Sequence, residues 1–292
     1  MTSPDNSLVT VTDPAIATDS AITTQAASMS PSYLDRFGGI GRLYGAVGLQ
    51  RLYDAHVCVI GIGGVGSWAA EALARSGVGK ITLIDMDDIC VTNTNRQIHA
   101  MTSSVGKLKC EAVAERLRDI NPEIDVDARM AFVTASNLEE QITPDMDYVI
   151  DCIDSVKNKA ALIAFCKRRK IRIVTTGAAG GQTDPTQIQV GDLNKTFNDP
   201  LARKVRSLLR REYNFSRNQS RNYSIPCVFS TEQLVYPSSD GTVCQTKAFA
   251  GESTRLDCNS GFGSATMVTG TFGFVAASRV IKRISEAAGK KP

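Results

Sequence analysis

Between residues 56 and 176 the chain alternates short apolar runs with longer stretches in which apolar positions recur every three or four residues. The runs HVCVIG (56–61), KITLID (80–85), DYVIDC (147–152) and IRIVTT (171–176) are rich in β-branched residues and bounded by Gly or Asp. They predict buried strands, and IDVDA (124–128) predicts a further short one. SWAAEALARSG (67–77) predicts a helix that stops at Gly77. LKCEAVAERLRDI (108–120) predicts another, with Val113, Leu117 and Ile120 on one face and Asn121-Pro122 as its end. A third helix is expected over 156–169. Strands alternating with helices predict an α/β fold with a doubly wound, mostly parallel sheet. In such sheets ligands bind outside the C-terminal ends of the strands, where Gly61, Asp85, Asp151 and Thr176 all fall.

The pattern changes after residue 180. GGQTDPTQIQVGDL predicts a turn and an antiparallel edge strand, and residues 195–222 predict a basic helix followed by a polar loop. That stretch holds Lys195, Arg203, Lys204, Arg206, Arg210, Arg211, Arg217 and Arg221 against only Asp199 and Glu212. From Cys258 to Ser278 no residue is charged, but Gly261, Gly263, Gly270 and Gly273 interrupt the apolar positions. This favours a small-residue C-terminal helix packed inside the protein over membrane contact. Residues 1–30 lack Lys and Arg and are rich in Ser, Thr and Ala, which predicts a disordered tail without the basic and apolar regions of a signal peptide. Residues 31–292 then form a single domain. The net charge is only +3, so contact with a nucleic acid must come from a local patch. The eight cysteines contain no CxxC pair, which argues against a disulfide framework or a four-cysteine zinc site and fits a reducing cytoplasm.

The candidate chemistry starts at residues 61–66. Gly61, Gly63 and Gly66 satisfy GxGxxG, and Gly64 adds a fourth glycine. Such a loop lets backbone amides approach an anion at a helix N-terminus. Asp85, about 20 residues on, stands where a carboxylate can hold ribose hydroxyls. These features alone fit NAD, FAD, S-adenosylmethionine and ATP alike. Asn93 and Arg96 just past the second strand, Lys109 opening the next helix and Asp154 in DCIDS are more selective. A dinucleotide site relies mostly on backbone amides, whereas a triphosphate attracts Arg, Lys and a divalent metal. His56, His99 and Trp68 are expected to be structural, with His99 near the edge of the nucleotide cleft.

GIGGVGSWAAEALARSGVG, LIDMDDICVTNTNRQ, VGKLKCE and DCIDS resemble the ubiquitin-activating-enzyme-like ATP-dependent adenylyltransferases, a superfamily with a Rossmann-like sheet. RFGGIGRLYG, TTGAAGGQTDPTQIQVGDL, CVFSTEQLVYPSSDGTVC and CNSGFGSATMVTGTFGFVAASR extend the resemblance to the branch that dehydrates a modified nucleoside in tRNA. The resemblance implies a nucleotide site formed by the glycine loop (Gly61, Gly63, Gly64, Gly66) with Asp85 on the ribose. Asn93, Arg96 and Lys109 would contact the phosphates, Asp154 would hold magnesium, and Asp87 and Ser155 would border the nucleotide. It also implies a homodimer in which an Arg from the partner completes the site. Arg36 and Arg42 are candidates, although RFGGIGR departs from the family pattern. The expected catalytic residues are Arg96, Lys109 and Asp154. Cys227, in PCVFSTE, follows a polar loop and is a candidate for the crossover-loop cysteine of relatives that form a thioester or persulfide.

The nucleic acid implied is tRNA and not DNA. Arg203, Lys204, Arg206, Arg210 and Arg211 are its expected phosphate contacts. Three other readings stay open at this point. An adenylyltransferase acting on a ubiquitin-like sulfur-carrier protein would share the ATP site, but the absent CxxC pairs and the basic insertion count against it. A dinucleotide-dependent oxidoreductase would not call for Arg96, Lys109 and Asp154. A sulfur-relay partner of a cysteine desulfurase system is compatible with catalysis but does not explain the ATP residues.

Overall fold

A computed structural model of the 292-residue chain describes residues 29–238, 241–245 and 262–287. The tail expected over 1–30 therefore lies outside the described residues except for its last two, and Cys258 lies outside as well.

Two helices come first, α1 (Pro31–Tyr44) and α2 (Ala46–Tyr53). The alternating unit follows as β1 (His56–Ile60), α3 (Gly66–Arg75), β2 (Lys80–Ile84), α4 (Lys109–Ile120), β3 (Asp125–Arg129), α5 (Leu138–Gln141), β4 (Tyr148–Asp151), α6 (Val156–Arg169) and β5 (Ile173–Thr176). The remainder comprises β6 (Ile188–Asp192), α7 (Pro200–Glu212), β7 (Pro226–Ser230), the hairpin β8 (Tyr236–Pro237) and β9 (Val243–Cys244), and α8 (Thr266–Ser285). The seven-stranded sheet has the order β3-β2-β1-β4-β5-β7-β6. All its pairs are parallel except β6 against β7. This is the mostly parallel sheet with an antiparallel extension and a C-terminal helix that the sequence predicts.

Side chains alternate across a strand, so each strand feeds two cores. Val57, Val59, Ile81, Leu83, Ile150 and Val174 pack on one face against α3, α4 and α8. Cys58, Ile60, Ile84, Val149 and Ile173 pack on the other against α6 and α7. Burial on both faces is why these strands read as continuous apolar runs. A smaller cluster of Met29, Tyr33, Phe37 and Leu49 fastens α1 and α2.

From Thr266 onward the charge-free C-terminal stretch is helix α8, packed on α3. A Cβ on Gly273 would come within 2.5 Å of the Val65 carbonyl oxygen, and one on Gly270 would rest 3.6 Å from the Trp68 ring. The small residues of α8 thus allow close approach to another helix. Among the described residues no helix is long and apolar enough to cross a membrane.

Candidate active site

Where β1 ends, the glycine loop divides into two jobs. Gly61 has φ +85°, and a Cβ there would stand 2.9 Å from the Cys152 carbonyl oxygen at the end of β4. A Cβ on Gly66 would overlap the Gly61 carbonyl oxygen. These two glycines are required by chain packing. Gly63 and Gly64 face side chains instead, Gln97 Nε2 at 3.9 Å and Arg96 Cγ at 3.1 Å. The backbone amides of Gly63, Gly64 and Val65 make no hydrogen bond among the described residues, so the loop presents free donors at the N-terminus of α3. Asp85 closes the loop from β2. Its Oδ2 accepts the Ile62 amide at 2.6 Å and its Oδ1 the Asp87 amide at 2.9 Å. Burial raises the Asp85 carboxyl above its usual range, and the Lys109 ammonium opposes that shift.

The basic residues converge on the same edge. Asn93 ends a 3-10 turn, Val91–Asn93, and its Oδ1 accepts the Cys90 amide at 3.0 Å. Arg96 lays its stem over Gly64, and its Nη1 donates to Thr92 O and Asn95 Oδ1, both at 2.9 Å. Among the described residues it has no carboxylate partner, which leaves its charge unneutralised. Trp68 Nε1 donates to the Arg96 carbonyl at 3.0 Å, so the indole is more than the core residue the sequence predicts: it fixes the segment that carries the arginine. Lys109 opens α4 and is buried, with its Nζ 2.8 Å from Asp87 Oδ2. Its amide also donates to Asp87 O at 3.1 Å. Asp87, expected to border the nucleotide, holds this lysine.

Asp154 lies three residues beyond β4, exposed and without a partner among the described residues. Ser155 occupies the N-cap position of α6 and makes no capping bond with its side chain. The loop carrying both is pinned from below by Lys159. This lysine is 2% exposed, pairs with Asp151 Oδ2 at 3.0 Å, and donates to Ile153 O at 2.9 Å and Asp151 O at 3.3 Å. Thr175 Oγ1 also donates to Asp151 Oδ2, at 2.6 Å, so the buried carboxylate is fully engaged. Sequence reasoning missed Lys159. The available signal was one lysine in front of the apolar run AALIAF, where a solvated charge is out of place.

The donors suit a nucleotide triphosphate with magnesium. Free loop amides, Arg96 and Lys109 supply positive partners for phosphates, and the buried Gln97, whose Nε2 lies beside Gly63, has no partner for its Oε1 among the described residues. Among the described residues no group of three or more His, Cys, Asp or Glu could cage a metal. A lone exposed carboxylate at Asp154 fits magnesium, which keeps most of its waters and binds through one or two carboxylates plus phosphate oxygens.

Several expectations are corrected. Cys227 is not on a loop: it is the second residue of β7, paired in parallel with Thr175 of β5 and antiparallel with Gly191 of β6, and 1% exposed. Burial raises its thiol far above the ordinary cysteine range. Not all the cations of α7 face solvent. Arg210 donates to Tyr223 Oη at 2.9 Å and to Asn194 Oδ1 at 2.7 Å, and Arg206 donates to Thr196 Oγ1. Arg211 pairs with Glu212 at 2.9 Å, while Arg203 and Lys204 are exposed. His56 is structural as expected, with Nδ1 2.9 Å from Asp145 Oδ2 and Nε2 2.8 Å from Thr82 Oγ1. His99 is buried, and neither ring nitrogen has a partner among the described residues. Arg36 and Arg42 are both exposed on α1.

A doubly wound sheet whose C-terminal edge carries a glycine loop closed by Asp85, with Arg96 over Gly64, a buried Lys109 and an exposed Asp154, is the frame of an ATP-using adenylating enzyme. The chain belongs to the ThiF family, whose model it matches over residues 39–292. It is 59% identical over 263 residues to the tRNA threonylcarbamoyladenosine dehydratase of Escherichia coli, covering 90% of this chain and 98% of that protein. To the dehydratase of the same description from Haemophilus influenzae it is 57% identical, covering 87% and 94%. The crystal structure of the E. coli enzyme in complex with ATP matches with a TM-score of 0.78 and 55% identity, over 88% of this chain and 96% of that one.

Proposed function

We propose that the protein dehydrates threonylcarbamoyladenosine in tRNA, using ATP to activate the threonyl carboxylate. The observation that carries this reading is Arg96 lying over Gly64, with Lys109 held by Asp87 after β2 and Asp154 following β4 at the same C-terminal edge of the sheet, in a chain 59% identical to a dehydratase of that substrate.

The carboxylate oxygen attacks the α-phosphorus of ATP and pyrophosphate leaves. The resulting acyl-adenylate has a good leaving group where the carboxylate had none. A ureido nitrogen of the same nucleoside then attacks the acyl carbon, loses its proton and expels AMP. The oxygen removed from the substrate departs in AMP, so the nucleoside has lost the elements of one water. Free amides of the glycine loop and the cations of Arg96 and Lys109 offset the charge that develops on the phosphates. Asp154 would hold magnesium, which when bound neutralises phosphate oxygens. Ring closure is intramolecular, so positioning supplies much of its barrier lowering.

Arg36 and Arg42 on α1 are the candidates for completing the site of a second subunit in a homodimer. Arg203, Lys204 and Arg211 are the exposed cations of α7 and its candidates for contact with tRNA. Incubation with magnesium-ATP and tRNA carrying threonylcarbamoyladenosine is expected to release pyrophosphate and lower the mass of the nucleoside by one water. Pyrophosphate release dependent on a carrier protein, with the nucleoside unchanged, would overturn the reading.

A further inference from the structure

The sheet has a second charged region at the edge opposite the nucleotide loop. A cavity of about 750 Å³ opens there, floored by the first residues of three strands, Tyr148 of β4, Ile173 of β5 and Pro226 of β7. Five cations ring it: Lys167 and Lys170 at the C-terminal end of α6, Arg172 just before β5, and Arg279 and Arg283 on α8. All five are exposed, and none has an ion-pair or hydrogen-bond partner for its side chain among the described residues. Among the described residues the single acid in the wall is Asp192. Its carboxylate accepts the backbone amides of Asn194, Tyr223 and Ser224 at 2.9, 2.9 and 2.7 Å. It is committed to the β6–β7 region and does not pair with the basin.

We infer that this basin is a phosphate-backbone docking surface for the RNA substrate, remote from the reacting nucleotide. The inference rests on the proposed tRNA reaction. Five unpaired cations exceed what a single small anion would neutralise. The charges surround a concavity, which a flat lipid headgroup layer cannot enter but a ridge of phosphodiesters can. Guanidinium groups, three of the five, match phosphate oxygens in pairs. Distance fits as well: strands of four or five residues separate the two edges by roughly 15 Å, well within the span of a folded RNA that has one nucleotide in the site. The basin also supplies what α7 lacks, since Arg206 and Arg210 are spent on internal bonds.

The test uses the full chain and tRNA binding measured over a salt series, with Arg172→Gln/Arg279→Gln/Arg283→Gln beside the parent. Loss of three phosphate contacts lowers the slope of log affinity against log salt by about two to three and weakens binding at least about tenfold at fixed salt. Affinity for an ATP analogue stays unchanged. A second variant, Lys167→Gln/Lys170→Gln, sits on a helix end and serves if the triple variant loses its circular dichroism; its slope falls by about one to two. An unchanged slope and affinity in the folded variants overturns the inference. So does dissociation of the protein to a smaller species, which makes the basin a contact between copies, or a loss of anionic-vesicle binding with tRNA affinity intact. Failure of the parent to dehydrate the nucleoside while it binds tRNA with the basin-dependent slope counts against the proposed reaction and leaves the basin standing.

Discussion

Lys109 Nζ stands 2.8 Å from Asp87 Oδ2, the ammonium side chain 8% exposed and the carboxylate 56% exposed. The pair is lopsided: the cation is fixed by burial at the start of α4, whereas the acid remains hydrated. An incoming phosphate can replace Asp87 as the partner of Lys109 without stranding a buried charge.

Lys109→Met tests that exchange. The variant keeps the buried methylene packing, and the Asp87 carboxylate it frees is already in water. Stability is expected to change by about 1 kcal/mol or less. The loss of a charge-assisted phosphate contact is expected to lower the rate of pyrophosphate formation by about a hundredfold or more. Single-turnover assays at saturating ATP check this. An unchanged rate would remove Lys109 from the phosphate site.

The two classes of glycine predict two different failures. Gly66→Ala forces a methyl into the Gly61 carbonyl, and backbone on both sides leaves no room to relax. The expected cost is about 3 kcal/mol or more, seen as a lowered urea midpoint. Gly64→Ala meets only the Arg96 stem at 3.1 Å, which can swing aside. It is expected to fold near normally while its KM for ATP rises about tenfold or more, because the arginine is displaced from the loop. Equal effects of the two substitutions on stability would refute the division.

The strands β1, β2 and β4 were legible to within a residue because burial on both faces writes them as unbroken apolar runs ending in Gly or Asp. α6 was legible over 156–169 without error. β7 was not: PCVFS is five residues long, follows a polar loop, and takes its place between β5 and β6 through pairings 34 to 52 positions away in sequence. Misplacing it is what put Cys227 on a loop. In the site, Gly61, Gly66 and Asp85 could be read because backbone geometry demands them at fixed spacing. Trp68 and Lys159 could not, since each acts through a polar head that reaches the backbone of another segment. No periodicity records such a reach.

Cys227→Ala follows from that correction. The thiol is enclosed between β5 and β6, and burial disfavours its thiolate. Native protein is expected to leave Cys227 unmodified by iodoacetamide at pH 8, as peptide mass analysis can show. The substitution removes one buried sulfur, costs about 1 kcal/mol, and is expected to leave cyclisation at the parent rate. A loss of product with ATP cleavage intact would restore a covalent role.

His99 gives the fold a pH dependence of definite sign. The residue is 1% exposed, and both ring nitrogens lack partners among the described residues. Burial lowers its pKa to about 4, and the nearby Lys109 charge adds to the effect. The unfolded chain binds a proton at this histidine near pH 6.5, whereas the folded protein resists until about pH 4. Protonation therefore favours unfolding: the neutral-His99 contribution is complete above about pH 6.5 and is lost as the pH falls towards 4. A shift of this size corresponds to about 3 kcal/mol. Asp85 and Asp199, whose carboxyls burial pushes up, act in the opposite sense as acid is added, but they are common to the parent and a His99 variant. Urea unfolding at pH 7, 6, 5 and 4 should therefore show the parent losing more stability than His99→Leu across this window. Parallel pH profiles for the two proteins would mean that His99 is hydrated or paired in solution.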